Sequence, residues 1–360
     1  MMPFSMKTLA LSTFLVALAP PLAAQDMSVT DITEAWLMGP HGDHDSPSFT
    51  HWNEDGAVPE ACAACHSESG MLDWLGADGT EAGVVDHPGT INSVIGCASC
   101  HVSEAEALDA VPFPSGVTVS GLGGNATCTM CHSGRASTGS VTQAIDGMDP
   151  DTVSEDLSFI NVHYGVAAAV MHGSEVSGGF EYDGQSYAGR FAHVPSANTC
   201  VACHEPHSTE VATDGCVACH QGVDDITAIR TQPADFDGDG VTSGGIRDEI
   251  EGLHAVLNEA IRAYAAEVVG TPIGYNKDNY PYFFIDGNAD GTIDTDEAIY
   301  PNQYASWTPR LLMAAYNYQV VAKDAGAWAH NPRYTLQLLH DSVVSLSEQI
   351  EVETGGLQRP

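Results

Sequence analysis

Ten cysteines in this sequence fall into five copies of one pattern, in which two cysteines are separated by two residues and followed directly by a histidine. The five copies are Cys62/Cys65-His66, Cys97/Cys100-His101, Cys128/Cys131-His132, Cys200/Cys203-His204 and Cys216/Cys219-His220. No cysteine lies outside them. The frequencies of cysteine and histidine in the chain predict about 0.01 such patterns by chance, so the spacing reflects a chemical requirement.

The spacing suits the covalent attachment of haem. Cysteines three positions apart in a helix are separated by about one turn, so both sulfurs lie on one side and the adjacent imidazole turns toward the same group. A c-type haem needs these groups, because two thioethers hold its porphyrin while an imidazole binds its iron. Zinc would need two cysteine pairs to converge on one ion, and a disulfide framework needs no histidine after each pair. We therefore predict five haem c groups, with the five motif histidines as proximal iron ligands.

Through these motifs, over at least residues 51–220, the chain resembles the multihaem c-type cytochromes. The resemblance implies closely stacked haems with little regular secondary structure between them, iron ligated by two histidines, and electron transfer in the periplasm or outside the cell. It implies redox partner proteins or an extracellular acceptor. The expected fold class is therefore mainly coil and short helices packed around five haems, with few strands.

Eleven histidines remain for the second, distal position on each iron. We predict five distal ligands: His51, His87, His163, His193 and His207. His51, His87 and His193 each lie in a short loop leading into a haem motif, His207 follows a proximal histidine by three residues, and His163 opens a segment of small residues on which a macrocycle could lie. The alternatives are His41, His44 and His172. The remaining histidines, for which we expect structural roles, are His254, His330 and His340.

Two axial histidines leave the iron no open site, which favours electron transfer over catalysis. The alternative is a multihaem reductase with one open haem, acting on a small nitrogen or sulfur oxyanion. Ammonia-forming nitrite reductases also carry five haems, but their active-site motif ends in lysine, and no lysine lies between residues 8 and 276 here. A further alternative is a subunit of an extracellular haem filament, in which a histidine of one subunit ligates a haem of the next.

Two acidic stretches in the last third of the sequence resemble calcium-binding loops. The first matches the twelve-residue EF-hand loop, with a glycine at position 6. Its predicted calcium ligands are Asp286, Asn288, Asp290, Thr292 through its carbonyl, Asp294 and Glu297. The second begins in the same way but lacks an acidic residue at position 12, and its possible ligands are Asp235, Asp237 and Asp239. We expect a structural calcium ion, because the first loop has no amphipathic entering helix of the kind found in sensors.

Composition and pattern divide the chain into three parts. Residues 1–24 have the charge, apolar run and small-residue tail of an export signal, and no later stretch is long enough to span a membrane. Residues 25–230 form the predicted pentahaem domain, including a possible hairpin at 180–190. Residues 231–360 form a helical calcium-binding domain, whose apolar periodicity predicts helices at 246–269, 309–323 and 332–351. With 48 acidic and 11 basic residues, the surface does not suit nucleic acid.

Overall fold

The computed structural model describes residues 27–360, so the predicted signal at residues 1–24 lies outside the described residues. Up to residue 220 the α-helices are short, and the longest has 10 residues. They are α1 Val29–Met38, α2 Pro47–Thr50, α3 Glu60–His66, α4 Glu68–Leu75, α5 Ala98–His101, α6 Ser103–Ala107, α7 Ala126–His132, α8 Thr138–Ile145, α9 Ala167–His172 and α10 Thr213–Cys219. The later helices are α11 Ile246–Tyr264, α12 Pro309–Ala322, α13 Ala327–His330 and α14 Pro332–Ser347.

Strands are few in the described residues. Two antiparallel pairs occur, β1 Ala110–Pro112 with β2 Thr118–Ser120 and β3 Ile273–Tyr275 with β4 Phe283–Ile285. Single 3₁₀ turns occur at Gly123–Asn125, Gly173–Glu175, Cys200–Ala202, Ile226–Ala228 and Tyr300–Asn302, and a π-helical turn at Ala265–Val269. The prediction of mainly coil and short helices with few strands is confirmed.

The predicted hairpin at residues 180–190 is wrong, because this segment has a turn but no strands. Its backbone groups bond to side chains of the C-terminal helices instead. The Phe180 N–H donates to Asn317 Oδ1 at 2.7 Å, and Asn317 Nδ2 donates to the Phe180 carbonyl at 2.9 Å. The Ala188 N–H donates to Gln337 Oε1 at 2.8 Å. With its hydrogen bonds supplied by helix side chains, the segment needs no partner strand.

The C-terminal helices form the main apolar core. Helix α11 buries Ile250, Leu253, Leu257 and Ile261, whose spacing of three and four residues places them on one face. That face packs against α12 and α14, which are themselves buried along most of their length. None of the helices within residues 27–360 combines the length and apolarity needed to cross a membrane.

Buried apolar side chains are distributed unevenly. One large cluster contains buried side chains from Phe113 to Ile350. Some of them lie between residues 136 and 180, and most belong to the C-terminal part. The clusters around α3 to α7 are small: one contains Met71, Leu75 and Ala105, the other Val111, Leu122 and Ala126. The division at residue 230 stays a prediction, since segments on both of its sides contribute to the large cluster.

Candidate haem-binding centre

Each cysteine motif lies on one turn of helical backbone. The first three are on α3, α5 and α7, the fourth begins on the 3₁₀ turn Cys200–Ala202, and the fifth is on α10. In three motifs the histidine N–H donates to the carbonyl of the first cysteine, at 3.0 Å for His101, 2.8 Å for His204 and 2.9 Å for His220. All ten cysteines lie within residues 27–360, and none of them forms a disulfide bond. The backbone therefore presents the paired sulfurs and imidazole that the sequence pattern requires for haem attachment.

The motifs lie close to one another in space. Met130 Sδ lies 3.8 Å from Cys65 Sγ and 3.9 Å from Cys131 Sγ, which brings the first and third motifs together. The thiols of Cys128 and Cys200 contact each other, which joins the third motif to the fourth. Of the residues from 27 onward, no group of three converging metal ligands contains a cysteine.

Each motif histidine faces the ring of a second histidine. The distances between ring centres are 5.8 Å for His66 and His163, 6.4 Å for His101 and His207, 6.4 Å for His132 and His41, 6.3 Å for His204 and His330, and 5.9 Å for His220 and His193. Two imidazoles on one metal, each bonded at about 2.0 Å with the ring centre about 1.1 Å farther out, would have centres about 6 Å apart. The spacing of the five ring pairs is therefore compatible with two histidines on one iron.

Backbone carbonyls determine which ring nitrogen is free in three of the motif histidines. His66 Nδ1 lies 2.8 Å from the Ser48 carbonyl oxygen, His132 Nδ1 lies 2.6 Å from that of Gly165, and His204 Nδ1 lies 3.1 Å from that of Thr209. A carbonyl oxygen only accepts, so Nδ1 carries the proton and donates. Nε2 then keeps its lone pair, as an axial ligand must.

Burial keeps several of these rings neutral. It lowers the pKa of His163 to about 4, with smaller effects from His66, Arg135 and Lys323. Burial also lowers the pKa of His66, His132 and His41. Neutral imidazole is the form that binds a metal, so the environment of these rings suits ligation.

Two of the facing histidines are paired with carboxylates. His207 Nδ1 lies 3.0 Å from Glu205 Oε1, and His330 Nδ1 lies 2.9 and 2.8 Å from the two oxygens of Asp324. Burial alone would lower the pKa of His330, but the hydrogen bond to Asp324 and the negative charge of that carboxylate together outweigh burial and raise it. A carboxylate on the outer nitrogen of a ligand histidine orients the ring and makes the ligating nitrogen more basic.

The predicted distal ligands His51 and His87 are placed differently. His51 is exposed and stacks edge-on against Trp52, with ring centres 4.8 Å apart. His87 Nδ1 contacts the buried carboxylate of Asp73 and lies 3.1 Å from Asp86 Oδ1. The rings that face His132 and His204 are instead His41, which the sequence left as an alternative, and His330, for which we expected a structural role.

No spacing rule in the sequence identifies His41 or His330 as a partner. His330 lies 126 positions after His204 and ends a short helix in the C-terminal part. The remaining histidines have other neighbours: His172 is fully buried beside Glu175, the Nε2 of His254 lies 2.9 Å from the Tyr318 carbonyl oxygen, and His340 Nδ1 lies 3.0 Å from Asp341.

The two acidic loops differ in geometry. Asp235, Asp237 and Asp239 can bring one carboxylate oxygen each within 4.8 Å of the others, and Asp235 accepts from the N–H of Gly238 at 2.7 Å and of Gly240 at 2.8 Å. Burial raises the pKa of Asp237 to about 6, and the neighbouring Glu249 and Asp239 carboxylates add to this shift. Calcium at this loop stays a prediction. In the loop at 286–297 the carboxylates are spread more widely, and backbone N–H groups point at them.

The chain is similar to curated cytochromes of Geobacter sulfurreducens. It is 27% identical over 374 residues to the C-type polyheme cytochrome OmcC, an alignment that covers 84% of this chain and 44% of that protein. It is 26% identical over 369 residues to the C-type polyheme cytochrome OmcB, covering 82% of this chain and 45% of that protein. The chain thus spans less than half the length of these relatives. No protein-family model matches it. No solved structure matches it.

Proposed function

We propose that this chain, which is a multihaem c-type cytochrome, transfers electrons through five covalently attached haems, each with two histidines on its iron. One observation carries the proposal: a second histidine ring stands 5.8 to 6.4 Å from the ring of every motif histidine. In this proposal the distal ligands are His41, His163, His193, His207 and His330. His51 and His87 are no longer among them.

When bound, haem supplies an iron that accepts and releases one electron. The residues of the chain would attach the haem, ligate its iron and set the protonation of the ligands. The paired cysteines would hold each porphyrin permanently. The two histidines would remain ligands in both oxidation states, which would keep the reorganisation that accompanies electron transfer small. The carbonyls of Ser48, Gly165 and Thr209 keep the outer nitrogen of three motif histidines protonated. Because the motifs contact one another, neighbouring haems would lie close together. The rate of electron transfer between two haems depends steeply on the distance between them.

The sparse apolar packing around the first three motifs supports the same proposal. The side-chain clusters there are small, whereas the C-terminal helices have an extensive core. A segment that buries so little apolar side-chain surface needs another source of burial to offset its conformational entropy. Large apolar porphyrins between the short helices would provide it.

The two alternatives receive less support. An open haem requires a motif histidine with no facing ring, and each of the five has one. Three polar side chains that a reductase could use to bind an anion have other partners: Arg135 donates to the Ala61 carbonyl at 3.1 Å, the Tyr164 hydroxyl contacts that of Tyr282, and the Tyr182 hydroxyl donates to Ser342 at 3.3 Å. A filament that exchanges histidines is not required either, since all five pairs form within one chain.

We place this activity in the periplasm or outside the cell, with redox proteins or an extracellular acceptor as partners. The basis is the predicted signal at residues 1–24 and the covalent attachment of haem. The net charge of −37 favours a partner surface that is basic where it meets this chain.

Haem counting and electron paramagnetic resonance test the proposal. Purified holoprotein is expected to contain five haems per chain by the pyridine haemochrome assay, with all ferric iron low-spin at low temperature. Replacing both Cys62 and Cys65 with alanine is expected to reduce the count to four, because that porphyrin loses both tethers. A high-spin signal from one-fifth of the iron that responds to nitrite or hydroxylamine would support the reductase instead.

Replacing Asp324 with asparagine is expected to raise the reduction potential of one haem by about 50 mV, which for one electron corresponds to about a tenfold change in the relative stability of its two oxidation states. The reason is that His330 loses its carboxylate partner and becomes a weaker donor to ferric iron. Spectroelectrochemical titration measures the shift, and Asp278→Asn, at an exposed ion pair with Lys277, is the control. Unchanged potentials in Asp324→Asn would contradict ligation by His330.

A further inference from the structure

In the loop at residues 286–297, side-chain oxygens accept hydrogen bonds from the backbone N–H groups of the same loop. It follows β4 and leads to the 3₁₀ turn Tyr300–Asn302. Asp286 Oδ2 accepts from the Gly291 N–H at 2.8 Å, and Asp290 Oδ1 accepts from the Thr292 N–H at 2.8 Å. Glu297 closes the loop, with Oε1 accepting from the Gly287 N–H at 2.8 Å and Oε2 from the Asp294 N–H at 3.1 Å. The first and last acidic residues therefore both face the interior of the loop.

Asp286 has an unpartnered oxygen in a buried position. Asp286 is 1% exposed. Its Oδ1 has no hydrogen-bond partner among residues 27–360, whereas its Oδ2 accepts from the Gly291 N–H. A buried carboxylate oxygen without a partner is unfavourable, so such groups are normally paired or bound to a metal. The guanidinium of Arg262, which lies over Gly291, is paired with Glu259 at 3.0 Å.

We propose that this loop binds one Ca²⁺ ion, which Asp286 Oδ1 ligates. The other oxygen donors are the side chains of Asn288, Asp290, Asp294 and Glu297 and the carbonyl of Thr292. A set made only of oxygen donors, supplied by a loop of this length, suits calcium. Zinc prefers nitrogen and sulfur ligands, and magnesium retains several waters. Gly291 at position 6 has φ +89°, the left-handed conformation that the sharp turn of such loops requires.

The loop is bonded to and packed against the β3–β4 hairpin, so an ion that stabilises the loop also stabilises the hairpin. Asn302 Nδ2 donates to the Ile285 carbonyl at 2.8 Å and to the Glu297 carbonyl at 2.9 Å, so the end of the loop is bonded to the end of β4. Ile293, at position 8, is buried against Gly274 of β3, where a β-carbon would lie 2.6 Å from Ile293 Cδ1. The hairpin in turn contributes Phe283 to the main core. Calcium therefore stabilises the C-terminal part.

Calorimetric titration of holoprotein with CaCl₂ tests the site, using Glu297→Gln as the variant. The control is Asp296→Asn, which removes a charge from an exposed position of the same loop that supplies no ligand. Wild type and Asp296→Asn are expected to bind one more calcium ion per chain than Glu297→Gln. Chelation with EGTA is expected to lower the melting temperature of wild type by about 2–6 °C and that of Glu297→Gln by less.

Equal calcium stoichiometry in wild type and Glu297→Gln would overturn the proposal. So would loss of an ion in Asp235→Asn with none lost in Glu297→Gln, because the calcium would then belong to the other acidic loop. If Glu297→Gln fails to fold, Asp290→Asn, at an exposed position, provides the same comparison. The haem count of each variant is measured in parallel and is expected to equal that of wild type, so this result is independent of the proposed electron transfer.

Discussion

Replacing His330 with alanine is expected to convert one of the five proposed haems from low-spin to high-spin. The ring of His330 is the one that faces His204, at 6.3 Å, and its removal would leave that iron with one axial histidine. Ferric haem with one axial histidine, five-coordinate or with water as its sixth ligand, is high-spin. The reduced, ferrous form of the same haem binds carbon monoxide. Low-temperature electron paramagnetic resonance should therefore show a new signal from one-fifth of the iron. His41→Ala is expected to have the same effect at the iron of His132.

Two histidines of the same chain serve as controls. His51 and His87 are exposed, were predicted as distal ligands from their loops, and do not face a motif histidine in one of the five pairs. His51→Ala and His87→Ala are expected to leave every haem low-spin. If His87→Ala produced the high-spin signal and His330→Ala did not, the assignment from loop position would be right and the one from ring distance wrong.

Replacing Arg310 with methionine is expected to lower the free energy of unfolding by about 3 kcal/mol, the cost typical of removing one partner from a buried ion pair. The Arg310 side chain is 8% exposed, and its Nε donates to Asp151 Oδ1 at 2.6 Å. Its Nη1 donates to the Ser345 carbonyl at 2.7 Å and to Glu348 at 2.7 Å. Arg310 therefore links the segment before His163 to α12 and α14. Urea unfolding followed by circular dichroism measures the change.

The matched control is Arg247→Met. Arg247 pairs with Glu251 one turn along α11, but both side chains are exposed, so its loss is expected to cost about 0.5 kcal/mol or less. Equal effects of the two substitutions would show that the Arg310 network contributes no more than a surface pair.

The same network should make stability depend on pH. Burial alone would raise the pKa of Asp151, but its bonds from Arg310 and Tyr264 outweigh burial and lower it. Because the folded pKa lies below the unfolded value, the contribution is complete at neutral pH and is lost as pH falls below about 4. Arg310→Met is therefore expected to differ less from wild type at pH 3 than at pH 7, provided that both still fold.

The long C-terminal helices could be predicted from the local sequence pattern. The apolar periodicity predicted helices at 246–269, 309–323 and 332–351, and the structure has α11, α12 and α14 there. Their ends differ by a few residues because helix termini depend on local capping, as where Gly270 adopts φ +78° after the π-helical turn. The segment at 180–190 could not be predicted in this way, because its hydrogen bonds come from Asn317 and Gln337, far along the chain.

The sequence by itself predicted where haem is attached, because two thioethers and a proximal imidazole must all come from one turn of backbone and therefore appear at one spacing. Only the tertiary structure decided which histidine faces each motif. A distal ligand has no covalent bond that ties it to the motif, and its position depends on how distant segments pack. His207 reaches His101 from the fourth motif, and His330 reaches His204 from the C-terminal helices. Proximity in sequence therefore favoured His51 and His87, whereas packing brought His41 and His330 to the motif rings.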